Sequence, residues 1–65
     1  MSEEEFCKRF TERVRLWARA GRKPFGKEPE AYAAVVAPIY WREMREEGWS
    51  PEKCADHDAS YWGRP

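Results

Sequence analysis

Apolar residues near the start of the chain fall at Phe6, Phe10, Val14 and Trp17, with charged side chains filling most positions between them. Spacings of four, four and three line these side chains along one face of an α-helix. Ser2 followed by Glu5 is a capping box, in which the hydroxyl accepts from an orphan amide and the carboxylate reaches back to the cap. Gly21 supplies a stop that tolerates positive φ, so a first helix is predicted over residues 3 to 20. Acids fill its first turn and Arg19 its last, as the macrodipole favours, and Glu4–Lys8 and Glu5–Arg9 have the spacing of supporting ion pairs.

The stretch Gly21 to Glu28 holds two glycines and a proline and reads as a loop. Pro29 suits the first position of a second helix, predicted over residues 29 to 47. Tyr32, Val35, Val36 and Ile39 form its apolar stripe, but continuing that stripe regularly would bury Glu43, Glu46 and Glu47. Pro38 accounts for the change of phase: it removes an amide hydrogen and crowds the preceding turn, predicting a kink or a break. Beyond it, Tyr40, Trp41 and Met44 become the expected contacts. Gly48 ends the segment, Ser50 caps a third helix with Pro51 at its first position, and Ala55, Ala59 and Trp62 share a face before Gly63. The third helix is predicted over residues 51 to 62.

No alternating strand pattern or internal repeat interrupts these three segments, which predicts an all-α fold, a compact three-helix bundle forming a single domain over residues 1–65. Hydrophobic residues at 42% and aromatics at 15% argue against a disordered tail. The zero net charge hides a division: residues 1–27 carry eight basic and four acidic groups, residues 28–65 four basic and eight acidic. Such two-endedness implies a charged partner or one end of the chain folding against the other. Met1 leads into Ser2, Glu3, Glu4 and Glu5 without a basic start or an apolar run of signal length, and the apolar stretch from Ala31 to Trp41 falls short of the ~20 residues of a bilayer span. A soluble, cytoplasmic protein is expected, with Cys7 and Cys54 reduced.

Candidate chemistry is sparse. Cys54 and His57 stand three residues apart on a helix, and Cys7 or Asp58 could complete a metal site, but structural zinc sites show paired ligands at two places in the chain and only one pair exists here. Cysteine–histidine catalysis would need a pocket that a chain of 65 residues has little room to build. Neither an enzyme activity nor a cofactor or metal is expected. Lys8, Arg15, Arg19 and Arg22 fall within a narrow arc of the first helix and, with Lys23 and Lys27, could hold phosphates through charge. The turn at Gly48 to Ser50 has helix-turn-helix length, but Glu52, Asp56 and Asp58 outnumber Lys53 on the helix that would enter a groove.

Local rules are most plainly broken around Gly48. Glu46 and Glu47 lie at a helix end where the macrodipole disfavours acids, while Glu43–Glu47 and Glu52–Asp56 are like-charge pairs four residues apart. Local conflicts tend to mark functional sites. The alternative is that Arg42, Arg45 and Lys53 neutralise the cluster. Four tryptophans exceed what three short helices need, and partly exposed tryptophans beside charge anchor protein interfaces. An acidic knob of Glu43, Glu46, Glu47, Glu52 and Asp56, flanked by Trp49 and Trp62, therefore reads as a surface that occludes a basic, nucleic-acid-binding site on a larger protein or ribonucleoprotein complex, carboxylates standing where phosphates would lie. The alternative is a small nucleic-acid-binding or transcription-associated protein using the basic arc of the first helix.

In its size, its helical make-up and the stretch from Glu47-Gly48-Trp49-Ser50-Pro51-Glu52 to Tyr61-Trp62-Gly63, the chain resembles the small proteins of phages and mobile elements, including anti-CRISPR inhibitors. The resemblance spans about a quarter of the chain. It implies stoichiometric binding to a partner such as a CRISPR effector subunit, preventing target DNA from loading or being cut, and it assigns no role to an individual residue.

Overall fold

The computed structural model describes residues 1–62, which fold into α1 (Glu3–Arg19), α2 (Pro29–Met44) and α3 (Pro51–Ala59) with 3₁₀ turns at Pro24–Gly26 and Arg45–Glu47. The expected three-helix bundle is the fold. Each predicted start coincides with an observed one, because each has an explicit signal. Ser2 Oγ accepts from the Glu5 amide at 3.1 Å and Ser50 Oγ from the Lys53 amide at 3.0 Å, while Pro29 and Pro51 open their helices. The ends come earlier than predicted. α2 tightens into a 3₁₀ turn at Arg45, closed by Gly48 at φ 75°, and α3 stops at Ala59 with residues 60–62 continuing as a turn. Gly63, expected to stop the third helix, lies outside the described residues.

Pro38 does not break α2, and the bend there is minor. Proline deprives the Ala34 carbonyl of its intrahelical donor, and Ala34 is exposed, so water can replace the missing amide. The phase change does occur: Tyr40, Trp41 and Met44 pack against the core. The stripe before it needs correction. Val35 is 68% and Ile39 40% exposed, whereas Ala33 and Ala37 are fully buried. The reason is the width of the aromatic contacts they border. Small side chains on α2 let it approach α1 closely enough for Phe6 to meet Trp41 and Phe10 to meet Tyr40, with ring centroids 5.5 and 5.4 Å apart. Such rings bring far more apolar area than a valine would, so the alanines win the inward positions.

Contacts between Phe6 and Trp41, and between Arg15 and Glu30, run in opposite chain directions, so α2 is antiparallel to α1. The pairs Arg9–Glu52 and Arg13–Asp56 run in the same direction, which makes α3 parallel to α1. The core lies between the three: Phe6, Phe10 and Val14 from α1, Ala33 and Ala37 from α2, Cys54, Ala55 and Ala59 from α3, and Trp62 just beyond.

One carboxylate is buried beside this core. Asp58 Oδ1 accepts from the Tyr40 hydroxyl at 2.7 Å, while Oδ2 accepts from Trp62 Nε1 at 2.9 Å and from the Tyr32 hydroxyl. No cation pairs with it among the described residues. Three neutral donors from two elements converge on it, and the bonds fix α3 and the following turn against α2. Burial, reinforced by donation to Asp58, pushes both tyrosine hydroxyls above the usual tyrosine range.

Candidate functional site

The two-ended charge is resolved in part within the chain. Arg9 donates through Nε and Nη2 to both oxygens of Glu52 at 2.9 and 2.8 Å, and one turn on Arg13 does the same to Asp56 at 2.8 and 2.9 Å. Trp17 adds an indole N–H to Asp56 at 2.8 Å. Bidentate geometry makes these the strong form of the charge-assisted bond. The donating arginines hold both carboxyls below the usual carboxylate range. Trp62 is 1% exposed and belongs to the core. Three of the seven residues expected in the acidic knob are therefore occupied inside the bundle: Glu52 and Asp56 by α1, and Trp62 by Asp58 and its apolar neighbours. The supernumerary tryptophan is buried because Asp58 gives its N–H a partner.

Of the other four, Glu46, Glu47 and Trp49 lie at the turn between α2 and α3, and Glu43 lies on the last turn of α2, about 200° round the helix from Trp41. Glu43, Glu46 and Glu47 are exposed, and none takes part in an ion pair among the described residues. Beside them a shallow cleft opens between Trp41 and Trp49, with Met1 and Phe6 completing its apolar lining and Glu46 at its rim. Of the three cations expected to neutralise the cluster, Arg42 is exposed and takes part in no ion pair among the described residues, and the other two lie over aromatic rings. Arg45 places its guanidinium 5.3 Å from the centre of the Trp41 ring, and Lys53 its ammonium 4.4 Å from that of Trp49. Both are within cation–π reach. On the far side of Trp49, His57 stands edge-on at 5.4 Å and leads to Tyr61 at 5.2 Å. Gly48 enables the arrangement, since its positive φ turns the chain sharply enough to bring Trp49 back beside Trp41. The corner thus offers two half-buried indoles with the carboxylate of Glu46 at their rim, and Glu43 and Glu47 near by in sequence, none of the three in an ion pair among the described residues. Such a surface suits a basic protein segment, the indoles packing on aliphatic stems and the carboxylates accepting from guanidinium or ammonium groups.

The basic arc of α1 is divided. Arg15 pairs with Glu30, and Arg22 lies 5.5 Å over the Trp17 ring while donating to the Ala59 carbonyl at 3.0 Å. Lys8 and Arg19 stay exposed and outside any ion pair among the described residues. Cys7 and Cys54 are free thiols, and burial pushes Cys54 up to about 11. Among the described residues no three metal-ligating side chains converge, and none of the helices is long and apolar enough to cross a membrane.

Sequence reasoning missed Arg9, Arg13 and the Asp58 network. The first pair carried a signal, since Arg9–Arg13 and Glu52–Asp56 are like-charge pairs of equal spacing and opposite sign. Asp58 carried none beyond its neighbours, because the tyrosines that meet it come from another helix. Comparison with protein-family models, with curated proteins and with solved structures found no match.

Proposed function

We propose that the protein acts by binding alone, using the corner formed by Glu43, Glu46, Glu47, Trp41 and Trp49 to cover a basic, nucleic-acid-binding surface on a larger protein. One observation carries this reading: Arg45 and Lys53 stack on the two indoles, and the exposed carboxylates of Glu43, Glu46 and Glu47 take part in no ion pair among the described residues. A basic partner would gain charge-assisted bonds there at little cost in broken intramolecular ones. Buried aromatic anchors within a charged rim are also what binding hot spots require. The smaller knob is a revision, since Glu52, Asp56 and Trp62 are engaged within the fold. The resemblance to phage and mobile-element inhibitors makes CRISPR effector subunits the partner class to test first.

The test is affinity capture of the tagged chain from a bacterial lysate containing CRISPR effectors, with and without nuclease, in parallel with the variant Glu46→Lys/Glu47→Lys. Both positions are exposed, so the variant keeps the fold. A nuclease-resistant protein partner held by the wild type and lost by the variant supports the reading. Capture that depends on nucleic acid and falls with Arg19→Gln refutes it in favour of the basic arc of α1.

A further inference from the structure

The outward face of α2 is apolar at its centre and charged at its two ends. At 3.6 residues per turn, Ala31 and Ile39 lie about 40° to either side of Val35, and Glu28 and Arg42 about 20°. Ala33 and Ala37, which are fully buried, lie on the opposite side of the helix. Val35 and Ile39 project at 68% and 40% exposure, and Ala31 is exposed beside a depression lined by Lys27, Glu28, Tyr32, Val35 and Val36. Glu28 and Arg42 are exposed, and neither takes part in an ion pair among the described residues.

This pattern is complementary to itself when one copy is reversed. We infer that the outer face of α2 pairs antiparallel with α2 of a second copy of this chain, about a two-fold axis through Val35. Seven residues on either side of that axis stand Glu28 and Arg42, so each end of the seam brings a carboxylate against a guanidinium. Four residues on either side stand Ala31 and Ile39, so the Ile39 side chain of each copy enters the depression beside Ala31 of the other. The arrangement is isologous and closed, as two-fold interfaces are. A parallel pairing would set Glu28 against Glu28 and Arg42 against Arg42. The antiparallel one also aligns the helix dipoles head to tail. The carbonyl freed by Pro38 belongs to Ala34, about 100° from Val35, where water still reaches it.

The seam is short. A helix of 16 residues is about 24 Å long, and one face of it covers well under the ~800 Å² per partner of a stable interface. The pair is accordingly a weak one, populated at high concentration or when both copies are held on a larger assembly, where linkage raises the effective concentration. Glu46 and Glu47 lie beyond the seam, so pairing sets two acidic corners at opposite ends of one particle. The inference stands without the partner-binding reading, because it concerns the isolated chain.

Sedimentation equilibrium of the purified protein from about 10 μM to about 1 mM tests it. The expected mass rises from 7.8 kDa toward twice that value across the range. Val35→Arg, at a position already in solvent, keeps the helical circular dichroism and abolishes the rise. Glu28→Arg or Arg42→Glu alone weakens association about fivefold, and the two together restore it to within about twofold, because the swapped charges face each other again. A mass of 7.8 kDa throughout overturns the inference, as does association that survives Val35→Arg. A double swap no tighter than its single parents overturns the antiparallel register.

Discussion

Replacing Asp58 with alanine removes the acceptor of three donors at once. Trp62 is 1% exposed, so its Nε1 hydrogen loses its only partner where water cannot follow, at a cost of about 1–3 kcal/mol. The Tyr32 and Tyr40 hydroxyls lose bonds to a carboxylate, but both rings are half-buried and water recovers part of the loss, leaving about 1 kcal/mol each. The sum is about 3–5 kcal/mol. At roughly 0.05–0.15 kcal/mol per residue a chain of this length has about 3–10 kcal/mol in all, so Asp58→Ala should lose about a third of its stability at the upper end of that range and most of it at the lower. Asp58→Asn separates acceptor from charge. Its oxygen can take the Oδ2 position facing Trp62 and Tyr32, and its amide can donate to the Tyr40 hydroxyl, which rotates its own hydrogen away. That variant exchanges charge-assisted bonds for neutral ones while removing a buried charge that has no counterion among the described residues, and it should stay within about 1.5 kcal/mol of wild type. Urea unfolding followed by tryptophan fluorescence and circular dichroism measures both. Asp58→Ala within about 0.5 kcal/mol of wild type, or Asp58→Asn as damaged as Asp58→Ala, would show that the carboxylate does not organise this core in the way argued.

Ala37→Val should destabilise by about 1–3 kcal/mol through overpacking against Phe6 and Phe10, whereas Val35→Ala should change stability by less than about 0.5 kcal/mol, both measured by urea unfolding at low protein concentration. Glu52 and Asp56 have folded pKa values below their unfolded ones, so their contribution is fully present above the unfolded carboxylate value of about 4 and is lost as pH falls through the folded values. Wild type should therefore lose stability on acidification below about pH 4.3, and Glu52→Gln/Asp56→Asn should be less stable at pH 7 and lose less over the same interval, in urea midpoints taken at several pH values. Cys7 should react with a thiol reagent well before Cys54, which is fully buried and has its thiol pushed up to about 11, and equal rates would place Cys54 nearer solvent than the fold does.

The helix starts were legible because each rests on a local signal of one or two residues: Ser2 with Glu5, Pro29, and Ser50 with Pro51. The burial of α2 was not, because periodicity ranks positions by hydrophobicity and packing ranks them by fit. Around Val35 and Val36 the helix is apolar on nearly every side, so the pattern could not choose a face. The choice was made by α1, whose Phe6 and Phe10 need the close approach that Ala33 and Ala37 allow. Whether Pro38 would kink or break the helix was open for a related reason. Its effect depends on whether the freed carbonyl reaches water, and exposure of Ala34 is a tertiary fact.

The acidic residues show how one local anomaly can have two sources. Like charges four apart on one helix are unfavourable in isolation, and read alone the Glu52–Asp56 spacing marks a surface reserved for a partner. Arg9 and Arg13 have the same spacing on α1, and two such pairs of opposite sign fit rung against rung when their helices run parallel, which is how α1 and α3 run. For Glu52 and Asp56 the anomaly is thus cancelled by the fold, and it also helps set the register of α3 against α1, since a slip by one turn would leave a carboxylate and a guanidinium unmatched. For Glu43, Glu46 and Glu47 no second helix brings an answering row among the described residues, and Arg45 and Lys53 lie over Trp41 and Trp49 instead. A conflict that survives folding is stronger evidence of an external partner than one seen in sequence, and Glu43, Glu46 and Glu47 meet that condition among the described residues.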